Sequence, residues 1–412
     1  MADTSVGGGS LQGAAPPAIV LTQGAVLRGG IACALLIGLA VAAYLLHITP
    51  DRGASASFSL LVGAALGVAF QRGRFCFFCI IRDYIEFKNS GPLFAILAAL
   101  AVGGIGYTVV FGAFLPNSLT GRLPPQAHIG PVSWVLLAAG IAFGIGMALS
   151  GACISGHLYR LGEGYTRAPI ALGGSLVGFG IGFFTWQSVY LNTLSQAPVA
   201  WLPATFGYSL SLILHLLALA VIGLVLLRRL PDLAGSEGGK LTLERLWKAV
   251  FVRRWNPLLT GALVGMIGVF AYFRVEPLGV TAQLGSIART TLDNAGLLSE
   301  RLNGLDTFAG CATVVIQTIS DNGFLIGALV LASLSMALLG NHFKLSPRLT
   351  LRNSTTALLG GVLMGWGSMT ALGCTVGTLL SGISAFAISG WVFGAAVFVG
   401  VWLGIKLKLH QS

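Results

Sequence analysis

Charged side chains are scarce in this chain. Of its 412 residues, 24 are Lys or Arg and 13 are Asp or Glu, so 9% are charged, against about 25% in a typical soluble domain. Hydrophobic residues make up 55% of the sequence. So few charges cannot cover a soluble body of this size, and the composition also excludes disordered, collagen-like and disulfide-scaffold classes. The sequence therefore predicts a polytopic membrane protein.

Motifs of catalysis and of cofactor binding are missing as well. The sequence has no phosphate-binding loop, no Ser-His-Asp set and no paired catalytic carboxylates. Cys76 and Cys79 form a single Cys-x-x-Cys pair, and no second Cys or His pair completes a tetrahedral zinc site. We therefore expect no enzyme, no metal site and no cofactor. The formal net charge of +11 lies mostly in loops, which favours membrane orientation over nucleic-acid binding.

Apolar segments divide the chain into membrane-spanning and connecting parts. We predict a disordered tail at 1–23, a first transmembrane helix at 24–47, a first repeat half at 58–190, a connecting transmembrane helix at 206–227, a cytoplasmic loop at 228–256 and a second repeat half at 257–405. About nine crossings are expected. Several pieces, such as 59–70 and 278–287, are too short to span about 30 Å of hydrocarbon. Such pieces are typical of broken, re-entrant helices around a midplane site.

A glycine pattern that ends in cysteine occurs twice, at a constant offset of 221. Gly140, Gly144, Gly146, Cys153 and Gly156 recur as Gly361, Gly365, Gly367, Cys374 and Gly377. Earlier in each half, a Gly-x3-Gly motif at 63–67 recurs at 261–265. This repetition predicts two related halves, of inverted topology, in an all-α membrane protein.

Basic residues predict the orientation. Seven Lys and Arg lie in 228–254 and none lies in 187–205. By the positive-inside rule, the first segment is cytoplasmic and the second is external.

The cysteines are the strongest candidates for function. Cys76, Cys153 and Cys374 each lie at a break between apolar pieces, and the last two occupy equivalent repeat positions. Cys79 remains an alternative to Cys76, whereas Cys33 and Cys311 are interpreted as small core hydrophobes.

Polar residues and glycines flank these breaks. The candidate supporting residues are Arg72, Arg74, Arg82, Gly156, His157, Thr375 and Gly377. For the Arg82–Asp83 and Arg160–Glu163 sets, a role in a pathway and simple pairing at headgroup level stay open. Arg160 and Glu163 are three residues apart, which suits pairing on one helical turn.

Three stretches resemble the motifs of the YeeE/YedE sulfur-transport family. They are QRGRFCFFCIIRD at 71–83, SGACISGH at 150–157 and GCTVG at 373–377. The likeness covers roughly 58–404. It implies short re-entrant helices that meet from both sides in an hourglass shape. It also implies three path cysteines, which would be Cys76, Cys153 and Cys374.

The resemblance and the residues together predict uptake of a small sulfur-containing anion, thiosulfate first, across the bacterial inner membrane. Selenium-related transport is one alternative. A thiol–disulfide or sulfur-transfer protein that uses Cys76 and Cys79 is another. The expected partners are the anion, membrane lipid and a cytoplasmic sulfur-carrier protein.

Overall fold

The fold of the described residues is all-helical. In this computed structural model, the described residues are 23–50, 53–228, 247–298, 302–305, 315, 318–345 and 350–411. The predicted tail at 1–23 lies outside them except for Gln23, as do Cys311 and residues 229–246 of the predicted loop. The helices are α1 (Gln23–His47), α2 (Gly53–Gly73), α3 (Phe77–Phe87), α4 (Leu93–Phe114), α5 (Trp134–Ser150), α6 (Ile154–Gly162), α7 (Arg167–Asn192), α8 (Leu202–Leu227), α9 (Pro257–Arg274), α10 (Ala282–Asn294), α11 (Asp321–Leu339), α12 (Leu351–Thr370), α13 (Thr375–Ser384) and α14 (Ile388–Lys406).

The number of membrane crossings agrees with the sequence prediction. Nine segments of the described chain are long and apolar enough to cross a membrane. Helices α12 and α13 are bent by 45° at a short break, which makes them a broken span or a re-entrant loop. The all-α membrane class is therefore confirmed, while the inverted relation of the two halves and the domain limits stay predictions.

One predicted short piece is wrong, and a second has shifted bounds but stays too short to span. The 59–70 piece belongs to α2, which starts at Gly53 and continues through Gly73. Serines lower the hydropathy of its first turns, but Ser57 is buried and donates to the Ala43 carbonyl at 2.7 Å. The 278–287 piece also differs, because α10 begins only at Ala282 and continues to Asn294.

Glycines let helices from the two parts of the chain pack in parallel. Gly63 of α2 lies against Leu325 of α11, and Gly67 lies against Leu329, so the two helices run the same way. A Cβ at either glycine would collide with the backbone of α11. Small residues permit this close approach in membranes.

Three more helix pairs pack in the same parallel manner. They are α4 with α9, α5 with α14 and α7 with α12. Helices α5 and α12, in contrast, are antiparallel, because Gly146 lies against Gly360 and Gly367 lies against Ala139.

The bundle has two ends that loop contacts define. At the first, here called the arginine end, the Trp255 N–H donates to the Arg72 carbonyl at 3.2 Å. At the other, called the distal end, the Tyr208 hydroxyl donates to the Leu115 carbonyl at 2.7 Å. The short helices α3 and α6 lie between the core and the arginine end.

Candidate functional site

Two cysteine sulfurs meet in the core where α3 and α6 begin. The Cys76 Sγ lies 3.6 Å from the Cys153 Sγ, and both residues are fully buried. Both are free thiols. Each is the N-cap residue of its short helix, in extended conformation. The structure therefore brings together two predicted site residues that are distant in sequence.

The Cys153 sulfur receives donors from both helices. The Gly156 N–H of α6 donates to it at 3.3 Å, and the Phe77 N–H of α3 also interacts with it. The Ser155 hydroxyl lies 3.2 Å away. The N-termini of α3 and α6 thus converge here, and helix N-termini favour negative charge.

Gly156 allows the two sulfurs to approach. A Cβ at this position would lie 2.7 Å from the Cys76 Sγ and 3.3 Å from the Cys153 Sγ. The first distance is too short for carbon and sulfur, so a side chain would displace the Cys76 thiol. The close approach of the two sulfurs therefore requires glycine at position 156, while its predicted supporting role stays a prediction.

Cys79 extends the row of thiols toward the arginine end. It lies one turn along α3, half-buried and within hydrogen-bonding reach of Cys76. The Arg160 Nη2 donates to its sulfur at 2.9 Å, and the Arg160 Nη1 donates to the Gly151 carbonyl at 3.0 Å. Arg160 therefore links α3 to the turn that precedes Cys153.

Cys374 occupies the break between α12 and α13. It is 1% exposed, and its carbonyl accepts from the Thr378 N–H at 2.8 Å. It belongs to the same buried apolar cluster as Cys76 and Cys153. The Thr375 hydroxyl beside it is buried with no partner among the described residues.

The other supporting residues have different surroundings. Gly377 lies inside α13, where its carbonyl accepts from the Gly382 N–H. His157 is 3% exposed, and its Nε2 has no hydrogen-bond partner in the described chain. Cys33 is exposed on α1 and not buried, so its interpretation as a core residue is wrong.

The predicted arginines divide into a buried one and two at a cavity. Arg72 is 2% exposed and donates to the Arg253 carbonyl at 2.6 Å. Arg74 and Arg82 line a cavity of about 250 Å³ at the arginine end, together with Cys79. Arg82 also pairs with Asp83 at 2.7 Å.

Arg160 and Glu163 have separate partners. Arg160 contacts Cys79 and Gly151, as described above, whereas the Glu163 carboxylate accepts from the Gln71 Nε2 at 3.2 Å. Arg160 and Glu163 therefore do not pair with each other in the way their three-residue spacing suggested. Each contacts a different part of the chain instead.

Sequence reasoning missed His128 entirely. It lies in the loop before α5, is 6% exposed, and packs beside Gly373 and Thr378 at the distal end. Burial lowers the pKa of His128 to about 4. Its local sequence contains no periodic or motif signal, so only the fold places it next to the Cys374 break.

Fold and site together define a multi-pass membrane protein with buried thiols at the breaks between helices. Residues 72–403 match a family model described as Sulphur transport, so the chain belongs to the sulphur-transport family. The described residues contain no group of three or more His, Cys, Asp or Glu that could hold a metal ion.

Named relatives share most of this chain. It is 28% identical over 348 residues to the "Thiosulfate transporter TsuA" of Escherichia coli, across 83% of this chain and 92% of that protein. It is 28% identical over 362 residues to the protein of the same name from Spirochaeta thermophila, across 83% and 96%. A shorter match, 32% over 89 residues, joins 21% of this chain to 22% of the "Probable transporter YedE" of Escherichia coli.

Proposed function

We propose that this protein takes up a small sulfur-containing anion, thiosulfate first, across the bacterial inner membrane. The observation on which the proposal depends is the contact between the buried thiols of Cys76 and Cys153 at the converging N-termini of α3 and α6. Membership in the sulphur-transport family and the names of two relatives that share most of this chain support it.

The physical difficulty of such transport is dehydration. A divalent anion that leaves water loses hydration worth many kcal/mol, unless the protein supplies replacement donors. The Gly156 and Phe77 N–H groups supply such donors at Cys153. Thiols add weak S–H donors that suit a polarizable terminal sulfur. Weak sites also release the ion, as conduction requires.

The order of the thiols suggests the route. Cys79 faces the cavity at the arginine end, and Cys76 and Cys153 follow it toward the core. Cys374 lies at a separate break in the same apolar cluster. On this proposal the anion passes Cys374, then Cys153 and Cys76, and leaves past Cys79. The arginine end would then be cytoplasmic, as the basic loop predicts.

The contact of three thiols also favours a second candidate, a thiol–disulfide or sulfur-transfer protein. Cys79, Cys76 and Cys153 form a continuous series with one member at a cavity. Such a protein would cleave or oxidise its substrate, whereas a transporter delivers it intact. The fate of the two sulfur atoms of thiosulfate therefore separates the two functions.

The test measures growth first and transport second. A bacterium without its own thiosulfate uptake should grow on thiosulfate as sole sulfur source only when it expresses this chain. Proteoliposomes should then accumulate thiosulfate with both sulfur atoms still joined. Release of sulfite with retention of sulfur on the protein would favour sulfur transfer. Competition by a selenium analogue would identify selenium-related transport.

A further inference from the structure

The cavity at the arginine end is strongly basic. Its wall contains the guanidinium groups of Arg74, Arg82, Arg160 and Arg254, together with one carboxylate, Asp83. Asp83 is already paired with Arg82 at 2.7 Å. We call this set the arginine cavity. Its volume of about 250 Å³ is ample for a small tetrahedral oxyanion.

Nearby carboxylates have other partners. Glu86 lies 3.8 Å from Arg82 and 2.7 Å from the His410 ring, and neither Glu86 nor His410 lines the cavity. Glu163 accepts from Gln71 at 3.2 Å and faces a neighbouring pocket that it shares with Arg74. The wall itself therefore has an excess of positive charge.

The arginines of the cavity repel one another. Burial and the positive charge of Arg74 lower the pKa of Arg254 from its ordinary value. A doubly charged anion between these two groups would relieve the repulsion. Guanidinium groups also bind two oxygens of one oxyanion at once, which an ammonium group does less well.

The position of the cavity differs from that of a lipid-headgroup site. Its wall includes Tyr159, which is 2% exposed, and the Cys79 thiol, which contacts Arg160. Cys79 belongs to α3 and Tyr159 belongs to α6, and the Cys79 thiol is within hydrogen-bonding reach of the buried Cys76 thiol. An anion in the cavity would therefore lie next to the row of cysteines and not on the lipid-facing surface.

We propose that the arginine cavity is a second anion site, which binds a doubly charged sulfur oxyanion with the Cys79 thiol at its wall. The class of anion rests on the proposed function, whereas the site itself is separate from the Cys76–Cys153 pair. Thiosulfate, sulfite and sulfate share the required charge and oxygen geometry. The site would hold the anion that has just left the buried thiols and would also admit competing oxyanions from the same side.

Alkylation of Cys79 tests the proposal, because Cys79 is half-buried at the cavity while Cys76 and Cys153 are fully buried. The full chain with Cys33→Ala and Cys311→Ala is treated with iodoacetamide, and mass spectrometry follows the Cys79 peptide. Sodium sulfate is the probe, since thiosulfate itself consumes the reagent. Chloride at equal ionic strength is the control.

Sulfate should slow alkylation about threefold at about 10 mM, as expected for a site with a Kd of about 5 mM. The Arg74→Gln/Arg254→Gln variant should lose this protection, and Arg254→Gln alone should reduce it if the double variant is not monodisperse. Arg122→Gln, at an exposed loop position away from the cavity, should keep it. Equal rates in sulfate and chloride, or protection that survives in both cavity variants, would overturn the proposal.

The two proposals fail in different ways. Cys153→Ala should stop thiosulfate uptake and leave the protection of Cys79 by sulfate intact. If uptake is normal but sulfate does not protect Cys79 from alkylation, the arginine cavity is not an anion site. The proposed transport function would then be unaffected.

Discussion

The Sγ atoms of Cys76 and Cys153 lie 3.6 Å apart, although 77 residues separate them in sequence. The contact joins the starts of two short helices, α3 and α6, that lie far apart in the sequence. The Gly156 N–H donates to the Cys153 sulfur, so the pair is part of a donor cluster and not an isolated apolar contact. The predictions below follow from this arrangement and from the groups around it.

Removal of a buried thiol should impair transport. Cys153→Ala and Cys374→Ala should each lower the initial rate of thiosulfate uptake at least about tenfold, which corresponds to about 1.4 kcal/mol in a transport barrier, and growth on thiosulfate should slow with it. Cys→Ser should also weaken growth, because the hydroxyl is a harder donor. Cys33→Ala, on the exposed face of α1, serves as the matched control. Parental growth of both alanine variants, with normal membrane expression, would exclude a thiol-lined path.

A methyl group at Gly156 should also block uptake. Its carbon would lie 2.7 Å from the Cys76 sulfur, so Gly156→Ala must move one of the two thiols. Thiosulfate uptake should fall at least about tenfold, while the helix itself gains propensity from alanine. Gly173→Ala is the control, because nothing lies within 4 Å of a Cβ there. If both variants transport like the parent, the spacing of the sulfurs is unimportant.

Arg160 should be intolerant of lysine. Its two terminal nitrogens donate to Cys79 and to the Gly151 carbonyl, and an ammonium group does not reproduce this fork. Arg160→Lys should reduce uptake and lower thermal stability by about 1.5–3 kcal/mol, the range for a charge-assisted hydrogen bond. Melting curves in detergent provide the measurement. Arg122→Lys should have the melting temperature of the parent. If Arg160→Lys also melts like the parent, Arg160 does not stabilise the fold by linking Cys79 to the Gly151 carbonyl.

His128 should make stability depend on pH. Burial depresses its pKa to about 4, whereas an unfolded histidine titrates near 6.5. The folded form therefore binds fewer protons than the unfolded form between these values, and stability falls as pH drops from about 6.5 to about 4. The full effect is on the order of 3 kcal/mol.

The comparison variant for this effect is His128→Asn. The melting temperature of the parent should decline more between pH 7 and pH 5 than that of His128→Asn. Parallel pH profiles for the two proteins would show that His128 is not buried as a neutral ring.

The orientation prediction remains open to a labelling test. Single cysteines in 228–246 should react with a membrane-impermeant maleimide only after the cells are permeabilised, whereas those in 193–201 should react in intact cells. The basis is the count of seven basic residues in 228–254 against none in 187–205. Reaction of the central segment from outside would reverse the proposed direction of the path.

Composition was enough to predict the membrane class, because a deficit of charge is a property of the whole chain. The repeat at Cys153 and Cys374 correctly pointed to breaks between helices, since glycine and cysteine patterns are local. The hydropathy pattern did not predict the start of α2, because the Ser57 hydroxyl there is buried and donates to the Ala43 carbonyl. Partners of that kind are visible only after folding.

Tertiary contacts explain the rest of the difference. Arg160 reaches Cys79, which is 81 residues away, and Arg72 reaches the Arg253 carbonyl, which is 181 residues away. No local spacing encodes either contact. His128 likewise becomes a neighbour of Gly373 only when the loop before α5 packs against the break between α12 and α13.

The parallel packing of helix pairs has a consequence for biogenesis. Gly63 and Gly178 each lie against a backbone that the ribosome makes much later, at Leu325 and Val362. Until those segments emerge, the glycine faces of α2 and α7 lack the helices that cover them in the folded protein. Helices α2 and α7 are therefore inserted into the bilayer before their final packing partners have been synthesised. A chain stopped at the central loop should be a target for membrane proteases, and the two parts should be rescued only when they are synthesised in the same cell.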